Sequence, residues 1–197
     1  DFFPRPTKRG GAWMTEFRGQ CIRNGVEERP FISIVTNFTK PTGSTPSLIT
    51  HDELTTLLHE FGHSLHGMLA EGRYPSLCGT NVARDFVELP SQIMENWAFE
   101  PEFLDNFAKD YKTGEVIPTE LVNKIVRAKN YLSGYYQVRQ LDFGELDMAW
   151  HTLDTMTQDS TLDFEKKALA DYRTLPYVEG TAISTSFNHI FAGGYSA

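Results

Sequence analysis

Two histidines and a glutamate form the pattern in this sequence that is most informative about chemistry. They are His59, Glu60 and His63, in the spacing His-Glu-x-x-His. Residues four apart on a helix lie one turn apart, so both imidazoles can reach a single ion. In proteins with this motif the imidazoles bind Zn²⁺ and the glutamate acts as general base toward a water molecule. The pattern therefore predicts one zinc ion per chain, bound by His59 and His63, with Glu60 as the catalytic base.

The residues around the motif predict an amphipathic helix over residues 50–70. Thr50 followed by Glu53 is a capping box, which marks a helix start. At about 100° per residue, one stripe of apolar side chains falls within roughly 60° of Leu54, and we expect it to be the buried face: Leu54, Leu57, Leu58, Phe61, Leu65, Met68 and Leu69. The two histidines fall almost opposite that stripe. A chance match to the motif would seldom lie on the polar face of a capped helix.

A catalytic zinc ion usually takes three protein ligands and a water molecule, so a third ligand is required. Residues 84–97 are predicted to form a second helix, with Pro90 near its start or at a kink. It carries Asp85, Glu88 and Glu95, and the residues alone leave these three open. We favour Glu88, because Asp85 is more simply a helix cap. Glu95 is suitably placed to accept a hydrogen bond from the ring N–H of a ligand histidine.

The rest of the chain predicts a mainly α fold in one partial catalytic domain. Residues 1–30 are expected to be an irregular lead-in, and residues 31–38, rich in β-branched and aromatic side chains, a short strand. That strand could pair with an extended peptide or be purely structural. The domain would divide into a lead-in over 1–50, a helical core with the metal site over 51–175, and a Gly-rich loop over 176–197. Breaks in the helices are expected at Gly114, Gly134 and Gly144, with a further short helix over 163–173.

Composition narrows the classes of function. The chain is 40% hydrophobic and 13% aromatic, which supports a folded core. Its net charge of −8, with no basic stripe, argues against nucleic acid or an anionic membrane as a partner. Cys21 and Cys78 lack the paired spacing of a zinc site, so we expect free thiols and a cytoplasmic location. No apolar run approaches the roughly 18 residues of a membrane helix, and no nucleotide or serine-hydrolase motif is present.

The C-terminal tail carries two further candidate residues, His189 and Tyr195. Gly193 and Gly194 precede the tyrosine, and a flexible Gly-Gly pair suits a loop that brings a phenol to a reacting carbonyl. A linker is the alternative. His51 and His151 are expected to be ordinary surface or helix-end histidines. His66, next to the ligand face of the helix, could line the site, and a structural role is the interpretation that we favour.

Five segments of the sequence, one of which contains the His-Glu-x-x-His motif, resemble the thimet oligopeptidase family of zinc metallopeptidases. The resemblance spans almost the whole chain and is carried by DFFPRPTKRGGAW, LLHEFGHSLHG, GTNVARDFVELPSQIMENW, VRQLDFG and SFNHIFAGGYSA. It implies a helical zincin-type catalytic region that acts on short peptides as an oligopeptidase or peptidyl-dipeptidase. It also assigns Glu88 as the third zinc ligand, and His189 and Tyr195 as substrate-binding residues.

The same resemblance implies that the chain is a fragment. The family has a large helical N-terminal part and, beyond this tail, a further tyrosine that donates to the oxyanion. We expect these N- and C-terminal parts of the parent chain to be its missing partners. A zinc- and peptide-binding fragment without turnover is therefore the alternative to an active enzyme, and a helical domain without metal is a third hypothesis.

Overall fold

The computed structural model describes residues 1–192, and this part of the chain divides into two compact units. The first unit comprises residues 1–126 and the second begins at Arg127. The strands of the first unit are β1 (Trp13–Arg18), β2 (Cys21–Arg23), β3 (Val26–Glu28) and β4 (Phe31–Val35). The helices are α1 (His51–Met68), α2 (Arg84–Val87), α3 (Leu89–Glu95), α4 (Pro101–Leu104), α5 (Thr119–Lys129), α6 (Ser133–His151), α7 (Thr161–Ala168) and α8 (Ile183–Ser186).

The first thirty residues contain regular strands, so the expectation of an irregular lead-in is wrong. β1 pairs antiparallel with β4, with an irregularity in the register between Glu16 and Arg18. β2 and β3 form a hairpin around Asn24 and Gly25, whose φ angles are 52° and 77°. Two positive φ angles at the tip are what a two-residue hairpin requires, and Asn-Gly is its strongest sequence signal. The strand predicted over 31–38 is present as β4.

The predicted metal helix is present as α1, and its start is fixed by the predicted capping box. The Glu53 backbone N–H donates to the Thr50 hydroxyl at 3.2 Å, and the Thr50 N–H donates to the Glu53 carboxylate at 2.7 Å. The same carboxylate accepts from the backbone N–H of Thr39 at 2.6 Å. The loop before the helix is thereby tied to its first turn.

The expectation that one apolar stripe forms the buried face of α1 is only partly correct. Leu54 and Leu58 are buried, in a core with Ala98, Leu104 and Val122. In contrast, Phe61 is 40% exposed and Leu69 is 72% exposed. The buried positions further along are Glu60, Gly62, Ser64 and Gly67. The reason is that α1 contacts neighbours on several sides: a Cβ at Gly67 would meet Ile32 of β4, and one at Gly62 would meet α3.

The predicted second helix is present but is divided into α2 and α3. Glu88 is the C-cap residue of the first and the N-cap residue of the second, with φ −86° and ψ −5°. Pro90 lies in the first turn of α3, where its missing N–H costs no helical hydrogen bond. A 3₁₀ turn, Asn96–Phe99, follows directly.

In the second unit, the helix breaks do not fall at the predicted glycines. α6 runs through Gly144, but it begins at Ser133, so the break expected at Gly134 falls just before that glycine, at Leu132, which has a φ of 56°. The helix expected over 163–173 is α7, which begins and ends earlier. Leu146, Phe164, Leu169 and Ile190 form the core of this unit.

The fold is mainly α with a small sheet element, as predicted. The proposed division into a lead-in, a helical core and a Gly-rich loop stays a prediction. Within residues 1–192, none of the helices combines the length and apolar character needed to span a membrane. Cys21 and Cys78 are free thiols.

Candidate metal centre

Three predicted ligand side chains converge in the first unit. The Oε2 atom of Glu88 lies 3.2 Å from His59 Nε2 and 3.0 Å from His63 Nε2. All three donor atoms lie within 4.8 Å of one another. Among residues 1–192, this is the group of His, Cys, Asp and Glu side chains that is suitably arranged for a metal ion.

The two elements that supply these ligands pack at very short range. α1 supplies both imidazoles, and Glu88 immediately precedes α3. Gly62 lies where the two helices meet: a Cβ there would come within 2.6 Å of Ser91 Cα and closer still to the Pro90 carbonyl oxygen. Only a residue without a side chain allows this approach. The contact places the start of α3 next to His63.

Glu95 contacts the other nitrogen of His59. Its Oε1 lies 2.7 Å from His59 Nδ1, and its predicted role as acceptor for a ligand histidine stays a prediction. A carboxylate at Nδ1 favours the tautomer with the ring proton on that nitrogen, which leaves the Nε2 lone pair available to a metal ion. The Nδ1 atom of His63 is buried and has no hydrogen-bond partner among the described residues.

Glu60 lies on α1 between the two histidines and is only 6% exposed. Burial raises the pKa of its carboxyl above the ordinary value, and the Glu88 carboxylate acts in the same direction. His59 and a hydrogen bond from the Met14 backbone N–H oppose that rise in pKa. Burial also lowers the pKa of His63, which favours the neutral imidazole that binds metal. A pocket of about 490 Å³ opens beside His59 and Glu60.

The donor set fits zinc. Two imidazole nitrogens and one carboxylate oxygen form a ligand set typical of catalytic zinc sites. Of the three carboxylates that the sequence left open, Glu88 is the one at the Nε2 atoms, whereas Glu95 contacts Nδ1. Asp85 is not in the group.

The two residues predicted for substrate binding do not belong to the first unit. His189 lies in a 3₁₀ turn, Asn188–Ile190, of the second unit. Tyr195 lies outside the described residues. Their roles stay predictions.

Sequence reasoning missed one residue at the centre. Ser91, on α3, is fully buried, and its hydroxyl donates to Glu88 Oε2 at 2.6 Å. The signal that could have found it is its spacing, because three residues after Glu88 places it on the same side of a helix.

Comparison with known proteins gives a consistent result. The model of peptidase family M3 matches residues 1–197. The chain is 44% identical to a dipeptidyl carboxypeptidase of Salmonella typhimurium over 199 residues. It is 42% identical to an oligopeptidase A of Escherichia coli over 203 residues. An organellar oligopeptidase A of Arabidopsis thaliana is 38% identical over 204 residues.

Each of these alignments covers the whole of this chain but only part of the relative. The chain spans 29% of the length of the two bacterial relatives and 26% of the plant relative.

Proposed function

The chain belongs to peptidase family M3, and from that premise we propose that it is part of the zincin-type catalytic region of a zinc-dependent peptidase acting on short oligopeptides. The observation that carries the proposal is the convergence of His59, His63 and Glu88 beside a buried Glu60. Relatives named as peptidases support the reaction class.

In this proposal His59, His63 and Glu88 hold one zinc ion per chain. When bound, zinc would supply Lewis acidity, which polarises a peptide carbonyl and lowers the pKa of water toward about 7. Glu95 keeps the proton of His59 on Nδ1, so that Nε2 is free to act as a ligand.

Glu60 is the proposed general base. Its carboxylate takes a proton from the attacking water and later delivers that proton to the leaving amine nitrogen. Its position on α1 between the two histidines holds it beside the ligands without making it one. His189 and Tyr195 are proposed to bind the substrate, following the family resemblance.

The experiment that tests the proposal replaces Glu60 with glutamine in the intact protein that carries these residues. Glu60→Gln keeps the size of the side chain but removes the basic carboxylate. A general base typically contributes about 10²–10⁴-fold in rate, so cleavage of a fluorescence-quenched peptide should fall by that factor while zinc content stays unchanged. Glu71→Gln, an exposed glutamate after α1, serves as the control and should cleave normally.

A Glu60→Gln form that binds zinc and cleaves at the unchanged rate would remove the general-base assignment. Loss of cleavage on treatment with a chelator, and its return on addition of zinc, is expected for the unchanged protein. Cleavage that is indifferent to the chelator would remove the zinc assignment.

The relatives include both a dipeptidyl carboxypeptidase and an oligopeptidase A, at 44% and 42% identity. The proposed activity therefore includes both alternatives, removal of C-terminal dipeptides and cleavage within oligopeptides. Comparing one peptide with a free and with an amidated C-terminus distinguishes them, since an enzyme that removes C-terminal dipeptides must recognise the free carboxylate.

A second candidate function follows from the extent of the chain. The chain spans 29% of the length of the bacterial relatives. In this second proposal, its 197 residues by themselves bind zinc and peptide but do not catalyse cleavage. Assaying exactly this polypeptide for zinc binding and for peptide cleavage separates the two candidates.

A further inference from the structure

Ser91 lies at the metal centre but has no part in the proposed reaction. It is the third residue of α3 and is fully buried. Its Oγ atom lies 2.6 Å from Glu88 Oε2 and 2.9 Å from the Glu88 backbone oxygen. A serine hydroxyl has a single proton to donate. The shorter contact is to the carboxylate, the stronger acceptor of the two.

The partner of Ser91 is the same oxygen that meets both imidazoles. Glu88 Oε2 contacts His59 Nε2 at 3.2 Å and His63 Nε2 at 3.0 Å. A glutamate side chain has several rotatable bonds, and fixing them costs conformational entropy. A hydrogen bond that holds the carboxylate in place before the metal binds reduces the entropy lost on metal binding.

A capping hydrogen bond would be an alternative use of the Glu88 carboxylate. Glu88 is the N-cap residue of α3, where side-chain oxygens usually accept from backbone N–H groups of the first turn. No such cap hydrogen bond is made here. Pro90 removes one of the N–H groups in that turn, and the Ser91 hydroxyl provides a donor on the side of the imidazoles.

The backbone that carries Ser91 is fixed by direct contact with α1. A Cβ at Gly62 would come within 2.6 Å of Ser91 Cα, and Gly62 directly precedes His63. This close backbone contact therefore fixes the position of Ser91 relative to the helix that carries the histidines.

We propose that Ser91 is a positioning residue, whose hydroxyl holds the Glu88 carboxylate in the orientation in which it meets the Nε2 atoms of His59 and His63. This inference rests on the zinc site of the proposed function. Removing a partner that orients a metal ligand typically weakens metal affinity by about 10–100-fold. Removing the Ser91 hydroxyl should have an effect of that size.

The test measures the zinc dissociation constant, by competition with a chromogenic chelator, in the intact protein that carries these residues. Ser91→Ala should weaken zinc binding by about 10–100-fold. Ser64→Ala is the matched control, because Ser64 is also buried on a helix but donates to a backbone carbonyl, that of Glu60, at 2.8 Å. It should bind zinc as the unchanged protein does.

A double variant separates positioning from a general loss of structure. In a Glu88→Ala background, adding Ser91→Ala should weaken zinc binding no further, because the hydroxyl acts only through the missing carboxylate. Equal losses in both backgrounds would overturn the positioning role. Thermal unfolding of each metal-free variant reports its folding. Ser91→Thr, which keeps a hydroxyl at this position, should bind zinc more tightly than Ser91→Ala, and equal zinc affinities of these two variants would also overturn the positioning role.

The experiment distinguishes failure of the Ser91 inference from failure of the proposed zinc site. Unchanged zinc affinity in Ser91→Ala would overturn this inference and leave the zinc site intact. An unchanged protein that binds no zinc, or a Glu88→Ala variant that binds zinc as tightly as the unchanged protein, would overturn the proposed site and this inference with it.

Discussion

The two nitrogens of the His59 ring contact different carboxylates. Nε2 lies 3.2 Å from Glu88 Oε2, and Nδ1 lies 2.7 Å from Glu95 Oε1. A carboxylate at Nδ1 sets the tautomer and raises the basicity of the opposite nitrogen. In the proposed zinc site, Glu95 would act on the metal through His59 without contacting the ion.

Replacing Glu95 with glutamine tests this role. Glu95→Gln keeps an acceptor oxygen but removes the charge that favours the Nδ1 proton. We expect zinc affinity to fall by about 10–100-fold, with little change in the thermal stability of the metal-free protein. Glu102→Gln, on the exposed side of α4, is the control. Zinc affinity equal to that of the unchanged protein would show that Glu95 does not support His59.

At the scale of elements, the metal centre depends on how closely α1 approaches α3. Gly62 permits that approach, because any Cβ there would meet backbone atoms of Pro90 and Ser91. Backbone atoms cannot rotate aside as the end of a flexible side chain can. The contact therefore sets the distance between the helix that carries the histidines and the segment that carries Glu88.

Gly62→Ala should destabilise the protein although alanine is the better helix former. Alanine gains up to about 1 kcal/mol over glycine in a helix interior, whereas overpacking a buried contact costs about 1–3 kcal/mol. Because the contact is with backbone, we expect the overpacking cost to exceed the gain and the free energy of unfolding in urea to fall. Zinc affinity should fall as well, since α3 is displaced.

Gly144→Ala provides the matched control for this substitution. Gly144 lies inside α6, and a Cβ there would meet nothing within 4 Å. This change should raise the free energy of unfolding by about 0.5–1 kcal/mol. A Gly62→Ala protein that is stabilised to the same extent would contradict the close approach of α1 and α3.

The start of α1 gives a pH-dependent prediction. Burial acts to raise the pKa of Glu53, but hydrogen bonds from Thr50 and Thr39 prevail and hold that pKa below the ordinary value. A group whose pKa is lower in the folded state stabilises the protein above its unfolded pKa, near 4.3 for glutamate. That stabilisation is lost as the pH falls through the folded-state pKa.

Glu53→Gln should therefore be less stable than the unchanged protein near neutral pH, and the difference should shrink as the pH falls below about 4. Thermal unfolding as a function of pH measures it. Glu120→Gln is the control, because Glu120 also lies in the first turn of a helix, α5, but its side chain is 79% exposed. A difference between Glu53→Gln and the unchanged protein that is independent of pH would contradict the assignment.

The elements that could be predicted from the sequence are those with strong local signals. Thr50 and Glu53 define the start of α1, and the run of β-branched and aromatic residues defines β4. The Asn24-Gly25 turn carries an equally local signal, although it lies in a segment whose proline, glycine and charged residues favour irregular structure. Gly144 does not break α6, because a single glycine costs only about 1 kcal/mol in a helix, which tertiary packing can outweigh.

The features of the site that the sequence did not predict depend on contacts between elements that are distant along the chain. The exposure of Phe61 and the burial of Glu60 depend on which faces of α1 are covered by β1, β4 and α3, and periodicity within one helix does not contain that information. The contact of Gly62 with α3 is of the same kind. The positions of the histidines, in contrast, follow from spacing along one helix.

At the scale of the whole chain, the proposed zinc ligands and general base all lie in the first compact unit, residues 1–126. His189 lies in the second unit, and Tyr195 lies outside the described residues. We therefore expect residues of the first unit to bind the metal. The chain spans 29% of the length of the two bacterial relatives. The proposed peptidase activity therefore concerns the intact protein that carries these residues.

The central claim is that His59, His63 and Glu88 bind one zinc ion. Crystals grown with zinc, with diffraction measured on both sides of the zinc absorption edge, test it most directly. We predict one anomalous peak per chain, at about 2.0–2.2 Å from the Nε2 atoms of both histidines and from a carboxylate oxygen of Glu88. No peak at these side chains, or a peak bound by other residues, would contradict the account.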